Sequence, residues 1–496
     1  MTEQVAPKAA AADGNQALVM RNAGILVVAQ VLAVPISVVV NAVMGRYLGP
    51  ADFGLLYLAS TFCTFGFLIV HWGQAGTLPS LVARDRSRAA ELLGTALAWR
   101  LPVAFVVVGV LVAGSLALGY GRQFAVVLAL CGLVGAINAM GTACVEMIRG
   151  FERVNVMAYV QVGGPLLSGA CMIGALVLGG GLPAVLLAQA ATSLFVLTLV
   201  WRSVRSVGIT SIKAKGATMR ELVVAGVPFL IFGVTMELQS NIDAMYMSRL
   251  VSHEVVGWLS AARRLLGVLV QPASAIIVAM YPTLCRLNSE DYDAYVRTSS
   301  KALRSTMLLA VPLSAGCGLF PEIGVSIFGR EAFGPAEDNL RVMAVFLLLV
   351  YFSMPLGSIL LAGGKQRAWS GVQALCIVFS LVLDPILIPW FQRETGNGGL
   401  GVCVAGVVSE IVMVAFGIWL APRGIFDRAL FRQLGLLLFC GAVMGAVAWA
   451  FSFTSAFVAA PISVAAYAAC LWLVGGVDRE LIGTVRSTIA RKIGRQ

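Results

Sequence analysis

Charged residues are scarce in this sequence. Only 12% of its 496 residues are Asp, Glu, Lys or Arg, whereas an ordinary soluble protein carries about 25%. Apolar residues make up 59% of the chain, and the mean hydropathy is +0.90. Many apolar runs have roughly the 20 residues that a helix needs to cross a bilayer. Barrel strands are much shorter, at ~10 residues. The composition therefore predicts an all-α polytopic membrane protein.

Residues that hold metals or form catalytic motifs are equally few. The chain has two histidines, His71 and His253, and its ten cysteines are scattered without a Cys-x-x-Cys pair. A zinc site is therefore not expected, and the cysteines are interpreted as small core residues. The sequence has no Gly-x-x-x-x-Gly-Lys-Ser/Thr loop, no Gly-x-Ser-x-Gly motif and no long soluble insertion. We therefore expect that the protein is not an enzyme and that it binds no cofactor and no metal.

Basic residues lie mainly on one side of the predicted membrane. If the N-terminus is inside, the inner segments contain roughly four times as many Lys and Arg residues as the outer segments. This bias predicts that both termini are cytoplasmic. The net charge of +11 follows largely from this topology, so we expect membrane lipids and no nucleic acid as partners.

A faint internal repeat predicts two related halves. A short polar hairpin, residues 46–54, separates the first two predicted spans, 24–44 and 54–78. Shifting the sequence by 203 residues aligns Arg46 with Arg249 and Gly54 with Gly257, and Ala59, Pro79 and Leu81 also meet identical residues. Duplicated halves are common in transporters, whose substrate site lies between the repeats.

We predict about fourteen transmembrane helices in two pseudo-symmetric six-helix lobes, with two extra C-terminal helices. The predicted segments are a cytoplasmic N-terminal tail (1–22), an N-lobe of helices 1–6 (23–201), a basic linker (202–221), a C-lobe of helices 7–12 (222–421), extra helices 13–14 (422–475) and a basic amphipathic cytoplasmic tail (476–496).

Ionisable groups at two neighbouring predicted spans are the strongest site candidates, because each costs at least about 2.5–3.5 kcal/mol at mid-membrane. Span 7 contains Glu237, Asn241 and Asp243, and span 8 contains Arg263 and Arg264 at similar depth. One interpretation is the arginine-rich wall of a cavity that binds an anionic head group. The alternative is a structural pair of Asp243 with either arginine. Adjacent helical residues point about 100° apart, so one arginine is expected to face the cavity, and the sequence does not say which.

Four more ionisable residues lie within predicted spans. Asp384 precedes Pro385, where either a site or a kinked backbone could hold the carboxylate. Glu410 is a candidate for binding a coupling ion, H⁺ or Na⁺. Arg100 and Glu146 lie near the inner ends of their spans and are expected to extend to the interface.

Several segments resemble the polysaccharide repeat-unit (Wzx-type) flippases of the multidrug/oligosaccharidyl-lipid/polysaccharide exporter superfamily. The resemblance covers roughly residues 20–420. It rests on Arg46-Tyr47-Leu48-Gly49-Pro50 with Phe53-Gly54, on Gly226-Val227-Pro228, Asp243, Val256-Gly257-Trp258 and Ala261-Ala262, and on Phe328-Gly329-Arg330-Glu331-Ala332-Phe333.

The resemblance implies a V-shaped pair of lobes around a cationic cavity in the bacterial inner membrane. Such proteins move undecaprenyl-pyrophosphate-linked sugar units outward by alternating access, for surface polysaccharides such as lipopolysaccharide or exopolysaccharide. Arg263 or Arg264 would then be a cavity cation beside Asp243 and Glu237. Expected partners are the lipid-linked glycan and the polymerase and glycosyltransferases of the same pathway. Arg46 and Arg249 at the outer hairpins would help to close an outward gate, or would simply be basic residues at helix ends.

Four alternatives compete with this function. A cation-coupled multidrug exporter of the same superfamily would need an acidic cavity, and a lipid II-type flippase would share the architecture. An integral-membrane enzyme of glycan assembly would need a large outer loop, which the sequence lacks. A channel would need a filter-like repeat, which is also absent.

Overall fold

A computed structural model describes residues 6–151, 153–209 and 211–475, and nearly all of these residues are helical. No β-strand occurs in these ranges. The predicted amphipathic tail at 476–496 lies outside them. The helices are α1 (Ala6–His71), α2 (Gln74–Arg84), α3 (Ala89–Ala117), α4 (Arg122–Gly150), α5 (Val154–Val177), α6 (Gly181–Arg205), α7 (Gly216–Leu250), α8 (His253–Glu290), α9 (Tyr292–Leu319), α10 (Pro321–Ser326), α11 (Arg330–Phe333), α12 (Ala336–Ala362), α13 (Gln366–Thr395), α14 (Gly399–Leu420), α15 (Arg428–Ala450) and α16 (Ala456–Leu473).

The helix surfaces confirm the predicted all-α membrane class. Large apolar side chains such as Phe105, Phe232 and Trp449 are exposed, which suits a protein surrounded by lipid. In the described ranges, thirteen helices are long and apolar enough to cross a membrane. The first of them, Val34–Arg84, has 51 residues and overlaps the two predicted spans at 24–44 and 54–78. The count of fourteen stays a prediction.

A single residue breaks α1 at the polar hairpin of the sequence. Gly49 has φ 73° and ψ 172°, outside the helical region, and Pro50 follows it. Glycine adopts a positive φ without steric cost. Proline has no backbone N–H with which to continue the hydrogen bonds of the helix. The predicted hairpin is therefore a sharp break and not an extended loop. Because α1 begins at Ala6, it also includes most of the predicted tail at 1–22.

The helices group into two compact units, Met1–Ser260 and Ala261–Gln496. In the first unit α3 packs on α4, α4 on α6 and α5 on α6. In the second unit α9 packs on α12, α12 on α14 and α13 on α14. When the helices are numbered by predicted span, the three pairings of the second unit are those of the first unit moved along by six spans. A duplication requires this correspondence. Helix α7 packs on α1, α2 and α3, so it belongs to the first unit. The predicted lobe boundary at 202–221 stays a prediction.

Ion pairs hold the end of the basic linker against the start of α3. Lys215 lies 2.5 Å from Glu91, and the Thr218 hydroxyl also donates to Glu91. Arg88 lies 2.6 Å from Glu221 on the first turns of α7. Ion pairs near the surface each contribute little to stability, because solvent screens them. Together they fix the position at which α7 begins on α3.

Candidate functional site

Helix α7 brings two of the predicted site residues together. Asn241 donates a hydrogen bond from Nδ2 to Glu237 Oε2 at 2.9 Å, across one helical turn. Both side chains are half-buried, whereas Asp243, two residues further on, is buried. All three of these candidate residues lie in the first unit.

The two predicted cavity arginines lie in the second unit. Arg263 and Arg264 are half-buried residues near the start of α8, just after the boundary at Ser260. Both make interactions with other groups, so neither side chain is isolated. Whether they share a cavity with Glu237 and Asp243 stays a prediction, as does the alternative of a structural pair.

Repeat-related residues contact each other at the break in α1. A side-chain carbon on Gly54 would overlap the His253 carbonyl oxygen and lie 2.7 Å from the Gly257 nitrogen. A side-chain carbon on Gly257 would overlap the Pro50 carbonyl oxygen. The shift of 203 residues that aligns Gly54 with Gly257 also aligns Pro50 with His253. Each repeat thus presents the same pair of positions to the other, which is the geometry of an isologous contact about a two-fold axis.

The shifted alignment identified Gly54 and Gly257 as equivalent positions, but nothing in the sequence predicted that they touch. The contact joins α1 to the first turns of α8, and all four residues belong to the first unit. Only glycine allows two backbones to approach so closely, because it lacks a Cβ atom. The topology predicted from basic residues puts this contact at the outer end of the helices.

Arg249 has a partner that the sequence analysis missed. Its guanidinium lies 4.2 Å from the centre of the Tyr120 ring, in the turn between α3 and α4. The Tyr120 hydroxyl also forms a 2.8 Å hydrogen bond with Ser248, and its ring stacks on Phe124. Arg46 is exposed. A gating role for Arg46 and Arg249 stays a prediction, but Arg249 clearly attaches the end of α7 to the α3–α4 turn.

We expect the Tyr120 ring to matter more than its hydroxyl. Tyr120→Leu removes the cation–π contact and the stacking, each contributing about 0.5–1.5 kcal/mol. Tyr120→Phe keeps both and loses only the hydrogen bond to Ser248. Thermal unfolding in detergent should therefore give a lower Tm for the leucine variant than for the phenylalanine variant. Equal Tm values would contradict this assignment.

The expectation that Arg100 and Glu146 extend to the interface is wrong. Arg100 is fully buried and its Nη2 lies 2.5 Å from Glu146 Oε2. It also donates to Gln74 Oε1 at 2.8 Å and to the Ala139 carbonyl at 2.8 Å. Side chains in a helix lean towards its N-terminus, and the start of α3 lies beside the end of α4. The arginine therefore reaches Glu146 inside the unit, where each charge satisfies the other.

Two further carboxylates are buried in the second unit. Asp384 is 1% exposed on α13, which continues as a helix through Pro385. Glu410 is 7% exposed on α14, and the Ser353 hydroxyl of α12 donates to it. Their predicted roles in coupling are untested. The burial of both carboxylates agrees with the interpretation that they are not surface charges.

Solved structures define the class of protein that shares this fold. The lipid II flippase MurJ in an inward closed conformation superposes with a TM-score of 0.69 at 13% identity, covering 92% of this chain and 99% of MurJ. An inward-facing multidrug resistance MATE family transporter of the MOP superfamily gives 0.59 at 16% identity, covering 78% and 94%. A MOP superfamily transporter from Pyrococcus furiosus, described as having reversed polarity of its binding pocket, gives 0.51 at 15% identity, covering 80% and 95%. The chain therefore has the MurJ/MATE transporter fold.

The sequence comparison identifies the family. Residues 43–331, more than half of the chain, match the polysaccharide biosynthesis protein family. The chain belongs to that family, in agreement with the resemblance noted in its sequence. Comparison with curated protein sequences finds no match.

Proposed function

We propose that the protein is a flippase for lipid-linked oligosaccharide repeat units. It would move undecaprenyl-pyrophosphate-linked sugars across the bacterial inner membrane by alternating access, with both termini in the cytoplasm. The observation that carries this proposal is the match to a polysaccharide biosynthesis family in a chain with a flippase-like transporter fold. The polysaccharide family favours a glycan substrate over a drug.

The chemistry of the substrate agrees with the charged residues that the chain places in its spans. A pyrophosphate needs cationic donors, and arginine presents a planar fork of N–H groups that matches phosphate oxygens. Arg263 or Arg264 is the proposed donor, and Asp243, Glu237 and Asn241 are the other residues proposed to bind the substrate. The lipid tail would stay in the bilayer while the polar head crosses.

Reversing both charges, Arg263→Glu with Arg264→Glu, should abolish transport. We expect the double variant to insert normally but to fail to restore surface polysaccharide in a deletion strain of its own host. A matched control is Arg286→Glu with Arg297→Glu. These are exposed arginines that pair with Glu290 and Asp291, so their reversal should leave polysaccharide near the wild-type level.

Normal polysaccharide in the Arg263/Arg264 variant would refute the proposed site. A direct assay would follow a fluorescent polyprenyl pyrophosphate in proteoliposomes that contain the purified protein. Export of cationic dyes without movement of this lipid would favour a multidrug exporter instead.

A further inference from the structure

Two buried glutamates in this protein differ sharply in their partners. Glu146 is 6% exposed and Glu410 is 7% exposed, so both are almost removed from solvent. Glu146 forms an ion pair with Arg100 at 2.5 Å. No basic side chain in the described part of the chain lies within 4.0 Å of the Glu410 carboxyl group. A charge in a low-dielectric interior is costly unless it is paired, so the two groups should not carry the same charge.

Three helices enclose Glu410. Ser353 faces it from α12, and Cys376 on α13 donates a hydrogen bond from Sγ to the carbonyl of Ser409, the residue before Glu410, at 3.3 Å. Asp384 on α13 and Glu410 on α14 lie equally far from the turn at residues 396–398 that joins these helices. Tyr351 on α12 donates instead to a carbonyl of α8. The titratable groups named here are thus acids or a thiol, and none of them, in the described part of the chain, supplies a compensating positive charge.

We propose that Glu410 is a proton-binding site, neutral in the conformation seen here. A protonated carboxyl can donate to Ser353 Oγ, and the Ser353 hydroxyl can then donate to the Val350 carbonyl, which lies 3.4 Å away. When the proton leaves to water, the Ser353 hydroxyl turns and donates to the carboxylate. One hydroxyl therefore satisfies Glu410 in both protonation states.

This site would also identify the coupling ion as a proton. This extension rests on the proposed function. Sodium sites in such transporters use carbonyls of unwound helices and helix ends. Around Glu410, α12, α13 and α14 are continuous helices. A single carboxyl beside a hydroxyl suits a proton better than a metal cation.

Infrared spectroscopy of the purified full chain tests the proton site without any substrate. A protonated buried carboxyl gives a distinct C=O stretching band. We expect this band to be lost in Glu410→Gln, shifted in Ser353→Ala and unchanged in Glu146→Gln, because Glu146 is paired with the guanidinium of Arg100. Elution profile and Tm show that each variant is folded. A band that survives Glu410→Gln without change, or that disappears in Glu146→Gln, overturns the proposal.

Transport tests the coupling separately. In proteoliposomes carrying a fluorescent polyprenyl pyrophosphate, a proton gradient should raise the wild-type rate several-fold, and Glu410→Gln should abolish the response while Glu146→Gln keeps it. A response to a sodium gradient alone overturns proton coupling. If no protein moves this lipid but the infrared band still follows Glu410, the proposed substrate class fails and the proton site stands.

Discussion

Replacing Gly54 with leucine should remove most of the transport activity of this protein. The added side chain would collide with backbone atoms of His253 and Gly257, which cannot rotate away as a side chain could. Forced overpacking costs about 1–3 kcal/mol. If the contact exists in only one conformation of the transport cycle, this cost shifts the equilibrium between conformations by about 5- to 150-fold. Restoration of surface polysaccharide in a deletion strain measures the effect.

Three further variants test whether the glycine contact causes this loss of activity. Gly257→Leu should act like Gly54→Leu, because it attacks the same contact from the other side. The double variant should cost less than the sum of the two, since either change alone already opens the contact. Gly109→Leu is the matched control, because the first side-chain carbon added there meets nothing within 4 Å. Full activity of Gly54→Leu, or equal loss in Gly109→Leu, would show that the contact plays no part in transport.

Replacing Arg100 with methionine should destabilise the protein more than any other single change of an ion-pair residue. The change leaves Glu146 buried without its cation and also removes the hydrogen bonds to Gln74 and Ala139. Breaking one partner of a buried pair costs about 3–5 kcal/mol. Thermal unfolding in detergent, together with the yield of folded protein, should report the loss.

A second substitution separates the charge from the packing. Arg100→Met with Glu146→Leu removes both charges, and we expect it to recover most of the lost stability. The control is Arg286→Met, which breaks the exposed pair with Glu290 at 3.1 Å and should cost less than about 1 kcal/mol. A double variant as unstable as Arg100→Met would show that packing and hydrogen bonds, and not an uncompensated charge, hold this region together.

The features predicted well from the sequence are those that depend on composition along the chain. Helical spans follow from the length of apolar runs, because a bilayer requires each backbone group to be bonded within its own helix. The shift that aligns Gly54 with Gly257 predicts two duplicated halves. The same helix pairings recur in both units, which agrees with that duplication.

The features missed depend on which side chains meet across helices. Hydropathy places Arg100 and Glu146 near helix ends, where long side chains usually reach water. It does not show that Arg100 leans back along α3 towards α4. Tyr120 was missed for a similar reason, because a tyrosine in a turn looks like an ordinary interfacial residue until Arg249 is placed over its ring.

The symmetric glycine contact has a consequence for how this sequence can diverge. In a homodimer, one codon would encode both glycines, and any mutation would change both sides of the interface. Here the two copies are joined in one gene, and each position mutates alone. The two halves already differ at this contact. The carbonyl that meets the glycine belongs to Pro50 in one half and to His253 in the other. Natural variants of the two halves should therefore tolerate change to different degrees, even though the glycines began as equivalents.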